Sequence, residues 1–255
     1  MPNPLPISVC LVVKNEADRL ERSLSPFVGK VSEILAYDDG STDGSVEILK
    51  RLGATVIEGP WLGFSATRRA VWAMAKEEWI LWLDADEVFL AETLNSLKNY
   101  FENEENLKNI GGFRICRQVI FEGKKIKHGD WFPDWCLRVF RRYNFIMEDR
   151  LVHESVEVKG RVIDLPGIVE HHSFRSWSDL EKRSQTYARL WAEQNLSKKT
   201  KIGSPFLHAA WKFFRGYILK SGWLDGELGF KIALHNAREV HLKYSILKQR
   251  LANSR

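Results

Sequence analysis

Asp84-Ala85-Asp86-Glu87 follows directly on the apolar run Trp79–Leu83, so three carboxylates stand where a buried segment leaves the core. Five apolar residues are too few for a helix and read as a buried strand. Two Asp at i and i+2, one on the strand end and one in the turn, can both reach a single hard cation. Water and phosphate oxygens would complete such a coordination sphere. Taken alone, the same residues are as readily a charged turn that closes a strand and opens the next helix. Two further polar clusters follow apolar runs in the same way: Lys14-Asn15-Glu16, and Asp38-Asp39-Gly40-Ser41-Thr42-Asp43-Gly44-Ser45.

The elements that must position these clusters are legible upstream. Ile7–Val13 is a β-branched apolar run of the kind found in buried parallel strands. An amphipathic helix carrying Leu20 and Leu24 follows it. Val31–Tyr37 is a second strand, then comes a helix over Val46–Leu52, a short strand over Ala54–Glu58 and a helix from Ser65 to Ala75. Strand and helix alternate four times, and each strand ends in polar residues. That pattern predicts a doubly wound α/β domain, a mostly parallel sheet with helices on both faces, whose ligands bind at the carboxyl ends of the strands. No G-x-G-x-x-G follows the first strand, which disfavours a dinucleotide site. Beyond Glu87 the sequence predicts a helix to about Glu105 and a hairpin, Gly112–Phe121 with Lys124–His128, over Glu122-Gly123. A strand ends at Arg142, irregular chain covers Tyr143–Val158, and Ile163–His172 closes the domain. After Ser176 the chain reads as helical, interrupted at Gly203–Pro205 and Ser221–Gly229. The expected division is residues 1–175 and a helical C-terminal region, residues 176–255.

The 255 residues carry 38 Lys and Arg against 33 Asp and Glu, a net charge of +5 that suits phosphorylated substrates or an anionic surface. Three widely spaced cysteines, Cys10, Cys116 and Cys136, argue against a disulfide framework or a zinc site and suit a reducing compartment. No signal peptide is evident, and no apolar run approaches the ~18–20 residues that span a bilayer. A cytoplasmic protein, peripheral on the inner face of the membrane, is expected. A nucleic-acid-binding module would show clustered basic residues and no ordered acidic strand ends, contrary to Asp38, Asp39, Asp84 and Asp86.

Taken in order, the strand followed by Asn15-Glu16, the strand followed by DDGSTDGS, the helix with Gly63-Phe64 and Ala66-Thr67-Arg68, and the strand followed by DADE resemble the family 2 glycosyltransferases of GT-A fold. The resemblance is close over residues 7–90 and looser to about 175. Later residues, Asp134-Trp135 and Leu137–Arg142, Val152–Glu154 and His171–Phe174, are similar to bacterial lipopolysaccharide-core glucosyltransferases. The resemblance implies an inverting hexosyltransferase that moves a sugar from a nucleotide sugar, UDP-glucose in the nearest sub-branch, to a lipopolysaccharide-core or other cell-envelope glycan. Protein or other lipid-linked acceptors, and nucleotidyl transfer, are the alternatives; the Gly-rich phosphate loop usual for the last is missing after the first strand.

What the resemblance implies for residues is specific. Asp38 and Asp39 would hold the nucleotide base, Lys14, Asn15 and Glu16 the ribose, and Arg68 the diphosphate. Arg69 stands where the family usually has Asn, which leaves open which arginine points inward. Asp86 would bind Mg²⁺ or Mn²⁺, with Asp84 on ribose or cation and His171 or His153 completing the metal site. The general base would be Glu154, with Asp134, between Trp131 and Trp135, as the other candidate. In the last third, Phe206, Trp211, Phe214, Ile218 and Trp223 interleave with Lys212, Arg215 and Lys220. Such a basic-aromatic helix suits a membrane interface or packing onto the catalytic domain.

Overall fold

Ile7, Val9, Leu11 and Val13 of the first strand contribute to one hydrophobic core and Cys10 to another, the period-2 alternation of a strand buried on both faces. The computed structural model describes residues 3–147, 156–196 and 203–253. Its elements are β1 (Leu5–Val13), α1 (Ala17–Leu24), β2 (Val31–Asp38), α2 (Ser45–Arg51), β3 (Thr55–Glu58), α3 (Phe64–Ala73), β4 (Trp79–Trp82), β5 (Glu87–Phe89) and α4 (Ala91–Phe101). They continue with β6 (Ile110–Phe121), β7 (Lys124–Lys125), β8 (Asp134–Arg141), β9 (Phe145–Met147), β10 (Val156–Val158), β11 (Arg161–His171), α5 (Trp177–Gln194), α6 (Pro205–Phe214) and α7 (Gly226–Asn253).

The chain divides into two compact units, Met1–Arg117 with Asp134–His171, and Gln118–Pro133 with His172–Arg255. In the first, the sheet order is β3-β2-β1-β4-β8-β6-β11-β5. The four strands β3, β2, β1 and β4 are parallel, and β8 joins β4 antiparallel. Leu20, Leu24, Leu49 and Leu97 from α1, α2 and α4 pack on one face, where Trp79, Leu81 and Leu83 also lie. Val71 and Trp72 of α3 pack on the other with Ile80, Trp82 and Phe140. Trp72 sits edge-on to Phe140 and Phe145, with ring centroids 5.0 and 5.3 Å apart.

Three short strands depart from the sequence reading. Glu87–Phe89, expected to open a helix, pairs antiparallel with β11, and α4 starts only at Ala91. Phe145–Met147 and Val156–Val158, expected as irregular chain, pair with each other. Three-residue strands carry too little alternation to stand out from turns. α7 begins at Gly226, inside the expected interruption.

In the second unit the hairpin supplies Val119, Phe121 and Ile126 to a core shared with Leu180 of α5 and Leu228 and Ile232 of α7. Asp225 ties this hairpin to the helices: its carboxylate accepts from the backbone N–H of Lys127 and His128 and meets the His128 ring at 2.9 Å.

Candidate functional site

The loops after β1 and β2 are bound into one surface. Asn15 adopts φ 55°, a left-handed conformation that Asn tolerates better than most residues. Its N–H donates to Ser41 Oγ at 2.9 Å and its Oδ1 accepts from Thr42 N at 2.8 Å. Glu16 N donates to Ser45 Oγ, and Asp43 accepts from the N–H of Ala17 and Ser45. Asn15 and Glu16 therefore hold the two loops together through contacts that a cap alone would not make. Lys14 Nζ, largely exposed, lies 3.1 Å from Asp39 Oδ2.

Asp38 is only 2% exposed at the end of β2. Its Oδ2 accepts from Gly40 N at 3.0 Å and Ser41 N at 2.8 Å, which fixes the turn. Its Oδ1 is buried with no hydrogen-bond partner among the described residues. A buried carboxylate oxygen in that state is costly unless a ligand donor meets it.

The second acidic cluster is organised by arginines. Asp84 Oδ1 accepts from Trp82 Nε1 at 3.0 Å and faces Arg68 Nη2 at 3.4 Å; its Oδ2 lies 2.6 Å from Arg138 Nη2. The guanidinium groups of Arg68 and Arg138 each stand 4.3 Å from the Trp82 ring. Arg138 also reaches Glu87 Oε1 at 2.6 Å, and Arg117 Nη1 approaches the same oxygen at 3.1 Å. Arg117 then forks onto Asp134 at 3.0 and 2.7 Å. Burial opposes charge on Asp84, yet Arg138, Arg68 and Arg117 outweigh it and hold the carboxyl far below the usual carboxylate range. Arg68 thus faces this cluster.

Asp86 sits apart from that network. Its Oδ1 lies 3.5 Å from His171 Nε2 and its Oδ2 3.7 Å from Arg19 Nη1. Burial raises its pKa, but contact with His171 and the charge of Arg19 leave it lowered overall. A carboxylate oxygen and an imidazole nitrogen at this separation suit a borderline cation such as Mn²⁺. No cluster of three or more His, Cys, Asp or Glu side chains fit to hold a metal forms among the described residues, so such an ion would draw further ligands from substrate and water. Both oxygens of Asp84, expected on ribose or cation, meet guanidinium and indole N–H groups.

Asp134 opens β8, and its forked pair with Arg117 ties it to the acidic turn through Glu87. Glu154 and His153 lie outside the described residues. Sequence reasoning missed Arg138, Arg117, Glu87 and Arg19. One signal was available: Asp84, Asp86 and Glu87 in one short turn at a core edge demand cations nearby, and strand periodicity puts Arg138 on the same face as Cys136 and Phe140.

The family model described as glycosyl transferase family 2 matches residues 8–157. An uncharacterized glycosyltransferase of Rickettsia typhi is 26% identical over 262 residues, covering 98% of this chain and 89% of the relative. Another from Rickettsia prowazekii is 28% identical over 237 residues, covering 88% and 80%. Among solved structures, the mannosyltransferase PcManGT of Pyrobaculum calidifontis, in complex with GDP-Man and Mn²⁺, has a similar fold. The TM-score is 0.55 at 14% identity, over 98% of this chain and 88% of that one.

Proposed function

This chain belongs to glycosyl transferase family 2 and has the GT-A fold, and on that footing we propose that it is an inverting, divalent-metal-dependent transferase using a nucleotide sugar. The donor is UDP-glucose and the acceptor a lipid-linked glycan of the cell envelope, of lipopolysaccharide-core type. The observation that carries the reading is Asp38: one oxygen fixes its loop while the other is buried without a donor, fit for the N–H of a nucleotide base. Asp39, Lys14, Asn15 and Glu16 form the rim around it and meet the ribose.

Arg68 then faces the diphosphate from beside Asp84. Asp86 and His171 would hold Mg²⁺ or Mn²⁺, which when bound would supply Lewis-acid stabilisation of the charge on the departing nucleotide. Arg138 keeps Asp84 ionised and fixed, so that Asp84 orients Arg68 and remains within reach of ribose or cation. A carboxylate takes the proton from the acceptor hydroxyl as that oxygen attacks the anomeric carbon and the nucleoside diphosphate leaves. Glu154 takes that role first, with Asp134 second. The fork from Arg117 ties up one oxygen of Asp134 and suits it better to positioning than to proton transfer.

The test is a panel of UDP- and GDP-sugars, scored for thermal stabilisation and for hydrolysis with and without Mn²⁺. UDP-glucose should give the largest shift and the fastest turnover, and only with metal. Preference for a GDP-sugar would overturn the donor assignment, and equal effects in chelator would overturn the metal.

A further inference from the structure

Nine of the eighteen large apolar side chains that stand exposed among the described residues fall between Phe206 and Phe230. Leu207, Trp211, Phe214 and Ile218 recur at i, i+4, i+7 and i+11, one stripe along α6 and the π turn Arg215–Leu219 that continues it. Leu207 is 66% exposed and Trp211 58%. This stripe is not the face that α6 packs inward. Phe213 and Tyr217 make that contact, with ring centroids 5.8 and 5.6 Å from Phe230 of α7. The helix therefore has two apolar faces, and one is covered.

Charge flanks the uncovered face. Lys212, Arg215 and Lys220 converge at 2.9, 2.8 and 3.1 Å on the carboxylate of Asp130, which is 4% exposed. Three cations against one buried anion leave an excess of two positive charges. Arg215 and Lys220 are partly open to solvent, and no acidic residue occurs between Gly203 and Leu224.

We propose that the segment Pro205–Trp223 is a docking surface for a phospholipid bilayer bearing anionic headgroups. Leu207, Trp211, Phe214 and Ile218 enter the acyl boundary, and the cations held on Asp130 face the phosphates. Charge decides between occupants. A two-fold contact with a second copy would set the same cations against each other, whereas an anionic surface complements them. The surface also deepens the functional reading, since it brings the enzyme to the plane in which a lipid-linked acceptor lies.

Sedimentation of the full chain with phosphatidylcholine vesicles, with and without phosphatidylglycerol, tests this without any nucleotide sugar. Its outcome is therefore separate from that of the donor panel. Binding should require phosphatidylglycerol. Joint replacement of Lys212, Arg215 and Lys220 by Gln should lower partitioning about 150-fold, the loss that three cations bring near an anionic surface. Because that variant strips Asp130 of its partners, a second one, Leu207→Ser with Trp211→Ser, probes the exposed stripe alone and should also lose binding. Equal partitioning into both vesicle types, or unchanged binding of the stripe variant, overturns the proposal. A lipid-free dimer that the stripe variant breaks overturns it in favour of a second copy.

Discussion

Arg138 Nη2 stands 2.6 Å from Asp84 Oδ2, and the same nitrogen is 2.6 Å from Glu87 Oε1. One guanidinium thus ties the first carboxylate of the acidic turn to the last, across a segment in which Glu87 is fully buried. The turn keeps its shape because β8, four strands after β4 in sequence order but beside it in the sheet, supplies the counter-charge.

Removing that cation leaves the buried Glu87 carboxylate with Arg117 and Asp84 with Arg68. Arg138→Met should lower unfolding free energy by about 3 kcal/mol, the low end of the usual cost of breaking a buried pair, because the remaining guanidinium groups offset part of the charge. Arg138→Lys should recover part of it, since it keeps the charge and loses the fork. Urea denaturation measures both. A loss below about 1 kcal/mol for Arg138→Met would remove the pair from the set of structural determinants.

Acid stability follows from Asp84. Its folded pKa is depressed, so its contribution is present above the unfolded value near ~3.9 and is lost as pH falls toward the folded one. The urea midpoint of the wild type should drop between pH 5 and pH 3, windows chosen around that ~3.9 reference. Asp84→Asn should start lower and drop less over the same range. Parallel curves would show that Asp84 plays no part.

The cation prediction separates Asp86 from Asp84. Asp86→Ala should abolish transfer while leaving the unfolding midpoint nearly unchanged, because its contacts at 3.5 and 3.7 Å add little to the core. Chelator should silence the wild type and Mn²⁺ restore it, and His171→Ala should raise the Mn²⁺ concentration needed for half-maximal rate. Full activity in excess chelator would end the case for a metal.

The base is tested by paired isosteres. Glu154→Gln should lower kcat by about 10²–10⁴ with donor affinity almost unchanged. Asp134→Asn should act differently, weakening the fork from Arg117 and mainly raising acceptor KM. The reverse pattern would exchange the two roles.

Cys136 lies on β8 within 3.5 Å of Asp134, close enough to the site to invite suspicion of a reactive thiol. Burial pushes its pKa up to about 11 despite Arg117 and Arg138 pulling the other way. Iodoacetamide at neutral pH should therefore leave activity intact, and alkylation should speed up about tenfold per pH unit toward alkaline conditions. Rapid inactivation at neutral pH would contradict that environment.

The parallel half of the sheet was readable because each strand is a continuous apolar run that stops at a polar cluster, as Val9–Val13 before Lys14 and Ile34–Tyr37 before Asp38 show. Asp84 and Asp86 stood out for the same reason. The arginine network was not readable, because its members come from α3, β6 and β8 and meet only after the sheet forms. Arg138 looks like one more charge in an alternating strand, and its burial depends on β4 and β6 flanking it. Glu87 reads in the sequence as the end of a motif, although in the fold it is the fully buried anion on which Arg117 and Arg138 converge.

The second unit is entered twice by the chain, first as Gln118–Pro133 between two strands of the main sheet and again from His172 onward. Heredity of such an arrangement differs from that of an appended module. A truncation after residue 171 would orphan Val119, Phe121 and Ile126, which share a core with Leu180, Leu228 and Ile232. A chimera that borrowed the helices of a relative would have to borrow the hairpin with them, at two separate splice points. Change in the C-terminal third of this enzyme is thereby tethered to a sixteen-residue excursion in its middle, and the two segments must diversify together.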